Sequence, residues 1–253
     1  MPIQVGEVAA LYRYPVKSMA GEPLAAVDLG WHGLTGDRRL AFRRVDDRSG
    51  FPWLTASKLP ELIRFVPQRL EVARDELPSH VRTPEGRDLA LFGPELAEEV
   101  ARRHGAAVEM THLNRGIFDE ASVSVICPAT VDEIARLSGQ APDVRRFRPN
   151  VVIASTRSAP FEEDEWLEGT LSFGEPADGA AIAITNYDER CAMVNLDPDT
   201  ARATPEVLKA IVAARNNRAG VYATVTRRGR MAVGQPVFFE PAIGTRARNS
   251  TLP

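Results

Sequence analysis

Four short stretches carry side chains able to do chemistry. DERCAMVNLDPDT, residues 188–200, holds Cys191, one of two cysteines in the chain. Free cysteine usually packs as a small buried hydrophobe. Here Arg190 precedes it, and an adjacent cation can lower a thiol's pKa toward the reactive thiolate. Local chemistry leaves packing residue, nucleophile, disulfide half and metal ligand all open. YPVKS, residues 14–18, sets Lys17 beside Ser18. An ammonium and a hydroxyl together can hold a phosphate. The upstream glycines of a P-loop are missing, and a solvated loop lysine is the bland alternative. GLTGDRRLAF, residues 33–42, places Arg38 after two glycines that permit an unusual turn. Asp37 could hold the guanidinium and leave donors for an anion; a surface ion pair of little worth is the other reading. RRFRPN, residues 145–150, packs Arg145, Arg146 and Arg148 around Phe147. If extended, Arg146 and Arg148 share one face, and such a pair suits phosphate or carboxylate. A basic rim is an equal alternative.

Other chemistries find less support. His32, His80, His104 and His112 all lie far from Cys191 in sequence, so nothing points to a Cys/His hydrolase. Asp197 and Asp199 lack the twelve-residue calcium-loop pattern and read as a turn with Pro198 at its second position. Cys127, in the apolar run SVSVICP, reads as buried and inert. Two cysteines are too few for a disulfide framework or a four-cysteine metal site. The net charge of −3 gives no general reason to expect nucleic-acid binding. No apolar run approaches the ~20 residues that span a bilayer, and no secretory leader pattern is present. A soluble, cytoplasmic protein is expected.

The elements that must position these residues are mostly short strands. VGEVAALYRY, LAAVDLG, RRLAFRRVD, RPNVVIAS and TLSFGEPADGAAIAITNYDERC carry alternating or β-branched apolar runs bounded by turn residues. IRFVPQRLEVA reads as a further extended pair, with Pro67 at an edge or bulge. GVYATVTRRGRMAVGQPVFFEP reads as a closing hairpin turning at Gly229. Three helices are expected. One covers 94–105, with Pro94 in its first turn, Leu96, Val100 and Ala101 on one face and Gly105 as stop. One follows Pro128, with Ile134 and Leu137 in its apolar stripe. One begins at TPE, with Thr204 as cap and Pro205 at its first position. Many strands with few helices argue for barrels or sandwiches.

In this order the motifs resemble the MOSC domain family, named from the C-terminal domain of molybdenum cofactor sulfurase. The match is closest to the branch with an added N-terminal β-barrel domain, which includes the mitochondrial amidoxime reducing component and its bacterial relatives. The resemblance runs through YPVKSMAGEPL, GLTGDRRLAF, FDEASVSVI, RRFRPNVVI, RCAMVNLDPDT and GVYATVTRRGRMAVGQPV, nearly the whole chain. It implies an α+β fold dominated by β, with two β-barrel-like domains and a few short helices. Residues 1–115 would form the N-terminal barrel domain and 116–242 the MOSC domain, with the cofactor in the cleft between them. Residues 243–253 would be a flexible basic tail. The implied cofactor is molybdenum cofactor (molybdopterin), a pterin dithiolene that holds molybdenum and ends in a phosphate.

Cys191 matches the molybdenum ligand. Lys17, Ser18 and Arg38 match positions that grip the cofactor, Arg148 and Asn150 match the RPN segment, and Arg146 is their neighbour. The implied activity is a molybdenum-dependent reductase acting on small N-hydroxylated compounds, such as amidoximes or hydroxylated base analogues. Two cysteines cannot supply an iron–sulfur cluster beside a molybdenum ligand. Electrons would come from a separate ferredoxin- or cytochrome-type protein plus reductase. The alternative is a cofactor carrier or sulfur-handling protein without turnover. The chain departs from its resemblance at Val194 and Asn195, where the closest relatives carry a threonine pair, and at Ala201, where a glycine ends DPDTG. These changes bear on the substrate pocket rather than on the ligand.

Overall fold

A computed structural model describes residues 1–70 and 77–242. The expected strand residues 71–73 and the tail 243–253 lie outside the described residues. The chain runs through β1 (Ile3–Arg13), β2 (Glu22–Leu24), β3 (Ala26–Gly30), β4 (Gly33–Leu34), β5 (Leu40–Arg44), β6 (Val66–Gln68), β7 (His80–Arg82) and β8 (Asp88–Ala90). Next come α1 (Pro94–His104), β9 (Val108–His112), β10 (Val123–Ile126), α2 (Pro128–Ser138), β11 (Val151–Ser155), β12 (Thr170–Phe173) and β13 (Ala181–Glu189). Last are α3 (Glu206–Arg215), β14 (Arg218–Arg227), β15 (Gly229–Ala232) and β16 (Pro236–Glu240). The fold is α+β and dominated by strands.

Seven strands close into a barrel in the order β11-β10-β14-β13-β12-β16-β1, with β1 pairing back onto β11. Only β10 and β11 run parallel, joined by α2 as the crossover. Alternate residues point inward, so Leu11, Val125, Ile153, Leu171, Phe173 and Val221 fill the interior. Each such side chain contributes roughly 1.5–3 kcal/mol on burial. A second core gathers Val16, Leu40, Phe42, Leu54, Phe65 and Leu96 under the β5–β9 pair, the β6-β7-β8 sheet and α1. Helices α2 and α3 cover the barrel's outer surface through Ile134, Val207 and Ile211.

Several local expectations hold. Helix α1 starts at Pro94 and stops at Gly105, whose φ of 82° is left-handed. Pro67 lies in β6, an edge strand. Gly33 and Gly36 both take positive φ in the turn before Arg38. A Cβ on Gly33 would meet the Ser122 carbonyl oxygen at 2.6 Å, so only glycine fits there.

Others need correction. The closing hairpin does not form: β14 pairs with β10 and β13, whereas β15 pairs with β3. Gly229 is required by crowding instead, since a Cβ there would sit 2.9 Å from the Ala180 nitrogen. RRFRPN is not extended. Val144–Arg146 form a 3-10 turn, and Arg148 takes a left-handed φ of 51°. The 3-residue turn breaks the period-2 alternation, so Arg146 and Arg148 leave on separate paths. Leu137 is 41% exposed, and the buried stripe of α2 is Thr130, Val131, Ile134 and Ala135. Thr204 makes no side-chain cap on α3. Asn195 does so from outside the helix, its Oδ1 accepting the Leu208 N–H at 2.9 Å.

Candidate functional site

Four of the sequence motifs meet in one cavity. It has a volume of about 420 Å³ and is lined by Lys17, Ser18, Arg38, Arg146, Arg148 and Cys191, among others. That volume lies in the usual range for small-molecule sites, about 300–1,000 Å³. A larger cavity of about 670 Å³ adjoins it across Arg146, Arg148 and Met193. The larger one lacks Lys17, Ser18, Arg38 and Cys191, so the reactive groups belong to the smaller.

Lys17 and Ser18 sit in the turn that leaves the Val16–Leu40 bridge. The Lys17 N–H donates to the Leu40 carbonyl at 2.7 Å, and Ser18 takes a left-handed φ of 65°. The Lys17 side chain is buried, and its Nζ donates to Asp119 Oδ1 at 2.8 Å. Burial pulls the Lys17 pKa below the usual lysine range, against the opposing pull of Asp119.

Arg38 also takes a left-handed φ, 47°. The buried Asp37 holds it: Oδ1 accepts the Tyr14 N–H at 2.7 Å, and Oδ2 accepts from Arg38 Nη1 at 2.5 Å. Arg38 donates further to Asn150 Oδ1 and to the Arg148 carbonyl, both at 3.2 Å. Burial opposes the Arg38 charge, but Asp37 outweighs it and the pKa rises.

Arg148 has a different balance. It donates to the Met19 carbonyl at 2.7 Å and lies 4.2 Å from the centre of the Tyr14 ring, whose other cationic neighbour is Arg38 at 4.9 Å. No carboxylate pairs with Arg148 among the described residues. Burial, together with the nearby Arg38, pushes its pKa down to about 10. A guanidinium stays protonated well above neutral pH. The shift therefore expresses a standing electrostatic cost that a bound anion would relieve.

The remaining expected residues divide. Asn150 is buried and does not line the cavity. It bonds Arg38, the Ser124 N–H at 3.1 Å and the Tyr12 carbonyl at 3.3 Å, which makes it a positioning residue for the grip. Arg146 lines the wall but is directed to the Asn195 carbonyl at 3.1 Å and Asp197 at 3.2 Å. Arg145 pairs with Asp199 at 2.8 Å. The DPDT turn thus anchors the arginine-rich element.

Cys191 follows β13 and is exposed. Arg190 is buried and committed to the Ala219 and Phe147 carbonyls and to Asp188 at 2.9 Å. It is a strut joining β13 to β14 and the RRFRPN turn. Cys127 is fully buried, and burial raises its thiol far above the usual range. Sequence reasoning missed Asp188, Ser124 and Tyr222, which line the same cavity. Asp188 accepts from Ser124 Oγ at 2.8 Å, and burial raises its pKa despite Arg190. The i, i+2 spacing of Asp188 and Arg190 was the available signal, because it puts both on one strand face.

Among the described residues, no cluster of three or more His, Cys, Asp or Glu side chains could hold a metal. A metal bound by Cys191 would therefore bring most of its ligands with it. A single soft sulfur donor at one place and a partly buried guanidinium without a carboxylate partner at another fit a cofactor that carries both a sulfur-bound metal and an anionic group. Three of the lining residues, Ser18, Arg38 and Arg148, hold strained left-handed backbone, as is common at functional sites.

Residues 5–122 match the MOSC N-terminal beta barrel domain. No curated protein shows significant similarity to the chain. Among solved structures, the chain is similar to the YuaD protein from Bacillus subtilis, with a TM-score of 0.53 at 15% identity, covering 96% of this chain and 100% of that one. YiiM from Geobacillus stearothermophilus aligns with a TM-score of 0.37 at 16% identity, over 47% of this chain and 54% of that one. At such identity the YuaD likeness speaks for the fold alone. Residues 101–238, more than half of the chain, match the MOSC domain, and the chain belongs to the MOSC domain family.

Proposed function

We propose that the cavity holding Cys191 binds molybdenum cofactor and that the protein is a molybdenum-dependent oxidoreductase of the amidoxime reducing type, acting on small N-hydroxylated compounds. MOSC domains are associated with binding this cofactor. The observation that carries the reading is convergence. Lys17, Ser18, Arg38, Arg148 and Cys191 come from four distant segments yet line one cavity.

The cofactor, when bound, supplies a redox metal able to exchange an oxygen atom with a substrate. The chain's own residues supply the rest. Cys191 offers a soft thiolate to a metal already held by dithiolene sulfur. Lys17, Ser18, Arg38 and Arg148 provide charge-assisted donors for the phosphate, while Asp37 and Asn150 hold Arg38 at its post. The exposure of Cys191 leaves its side of the cavity open to a small substrate and to an electron-donor protein of ferredoxin or cytochrome type. The cofactor would lie between the seven-strand barrel, which β1 closes, and the second core built around β5, β9 and α1, so the first residues of the expected N-terminal domain serve the barrel of the other.

The test is purification from a cofactor-producing host, followed by elemental analysis and pterin fluorescence after oxidation. We expect molybdenum and pterin in the wild type, amidoxime reduction once an electron donor is supplied, and loss of the metal's spectrum and activity in Cys191→Ala. A Cys191→Ala protein that keeps cofactor and full activity would sink the ligand assignment. Bound cofactor that exchanges into an acceptor apoenzyme without any reductase activity would show a carrier instead.

A further inference from the structure

The buried ammonium of Lys17 already has a counter-charge. Its Nζ donates to Asp119 Oδ1 at 2.8 Å and to the Ile117 carbonyl at 3.4 Å. Both partners belong to the segment joining β9 to β10. That segment is anchored at Ile117, which is buried and whose N–H donates to the Arg38 carbonyl at 2.8 Å. Two residues on, the Asp119 side chain is 64% exposed. The carboxylate can therefore turn into solvent while Ile117 keeps its seat. Glu120 lines the same cavity and accepts from Asn186 Nδ2 at 2.9 Å. The Phe51 ring lies over the ammonium, 5.6 Å from Nζ. An acidic lip thus closes on a basic cavity.

A ligand anion and the Asp119 carboxylate cannot share Lys17 without like-charge repulsion, which is strongest where water is excluded. We propose that Asp119 is a resident counter-ion, which the anionic group of a ligand must displace from Lys17, and which thereby sets the cavity's preference for dianions over monoanions. A monoanion only exchanges one negative charge for another. A phosphomonoester dianion brings more charge to Lys17, Arg38 and Arg148 together, and the displaced carboxylate becomes hydrated at the surface. The inference rests on reading the cavity as an anion site.

Isothermal titration of the full chain with inorganic phosphate, and with nitrate as the monoanion, decides it. Asp119→Asn should bind phosphate about 1.5- to fivefold more tightly, the range set by a partly exposed ion pair. It should gain at least as much for nitrate, so the preference for the dianion narrows. Lys17→Gln should bind phosphate more weakly than wild type. If Lys17→Gln does not fold, movement of the Lys17 Nζ resonance on adding phosphate to wild type takes its place. Unchanged or weaker phosphate binding in Asp119→Asn, with Lys17 still required, overturns the counter-ion and leaves Asp119 as a residue that orients Lys17. Phosphate binding that involves Lys17 by neither measure overturns the anion site and this inference with it.

Discussion

At the scale of single residues, the cavity is a contrast between cations with and without partners. Arg38 has Asp37, whereas Arg148 has a backbone carbonyl and an aromatic ring. Lys17 has an exposed carboxylate as its counter-charge, with a backbone carbonyl beside it. Because burial depresses the Lys17 pKa, phosphate affinity should fall, once phosphate is fully dianionic, as pH rises toward about 10, starting its fall earlier than an ordinary lysine would. The sign for stability is the reverse. The unfolded chain holds this proton more tightly than the free folded protein does, so the Lys17 contribution to stability improves as pH rises through that window. Titration calorimetry with phosphate across the range, paired with denaturation of the anion-free protein, checks both directions. Asn150 gives a second prediction. Asn150→Ala takes their side-chain partner from the Ser124 N–H and the Tyr12 carbonyl, and leaves Arg38 Nη1 with Asp37 alone. Leaving a buried polar group unpaired costs about 1–3 kcal/mol. We expect a loss of about 2–3 kcal/mol by urea denaturation, with weaker phosphate binding because Arg38 loses its support.

At the scale of elements, the two departures beside Cys191 have structural roles. Val194 packs among Ile126, Phe147 and Ile211 and also lines the cavity beside Cys191. Asn195 turns away from the cavity and caps α3 through Leu208. Asn195→Ala should cost about 1 kcal/mol, the usual worth of a lost cap. Faster hydrogen exchange at the Leu208 amide, with phosphate binding intact, would confirm that its place is in the helix and not in the pocket. Ala201, where the resemblance leads one to expect glycine, takes a left-handed backbone at φ 58°. A left-handed non-glycine residue is strained by about 1–2 kcal/mol, partly offset by the lower entropy of alanine in the unfolded chain. Ala201→Gly should therefore raise stability by about 0.5–1 kcal/mol. The reading is a higher urea midpoint at unchanged slope.

At the scale of the molecule, chain order and spatial order differ. Strand β1 stands between β11 and β16 and closes a barrel whose other six strands all lie after residue 122. Likewise β15 pairs with β3. Residues 116–242 expressed alone would leave β11 and β16 as two open edges, the usual route to aggregation. We expect that fragment to be insoluble or to lack a cooperative transition, while the full chain unfolds cooperatively. A soluble fragment 116–242 with a sharp thermal transition would refute the role given to β1. Among the described residues no helix is long and apolar enough to cross a membrane.

Short-range signals were legible wherever local chemistry decides the outcome. Pro94 and Gly105 bound α1 because ring geometry and left-handed backbone act within one turn. The anion-binding residue types in YPVKS and RRFRPN, and the lone cysteine in DERC, were likewise visible as side-chain chemistry. Pairing was not legible. Nothing local distinguishes a β14–β15 hairpin from two strands that join different sheets, because the choice depends on which distant strand offers a complementary face. The same holds for Arg146, whose orientation follows from a 3-10 turn and the Asp197 it meets there. Residue type by itself determined which groups could hold an anion or a soft metal. Only the tertiary structure decided that Cys191, Lys17, Arg38 and Arg148 line one cavity, that Asn150 supports it from behind, and that Asp119 stands in its mouth. Those facts are distances between segments far apart in sequence, and barrel closure together with the Val16–Leu40 bridge brings the segments together.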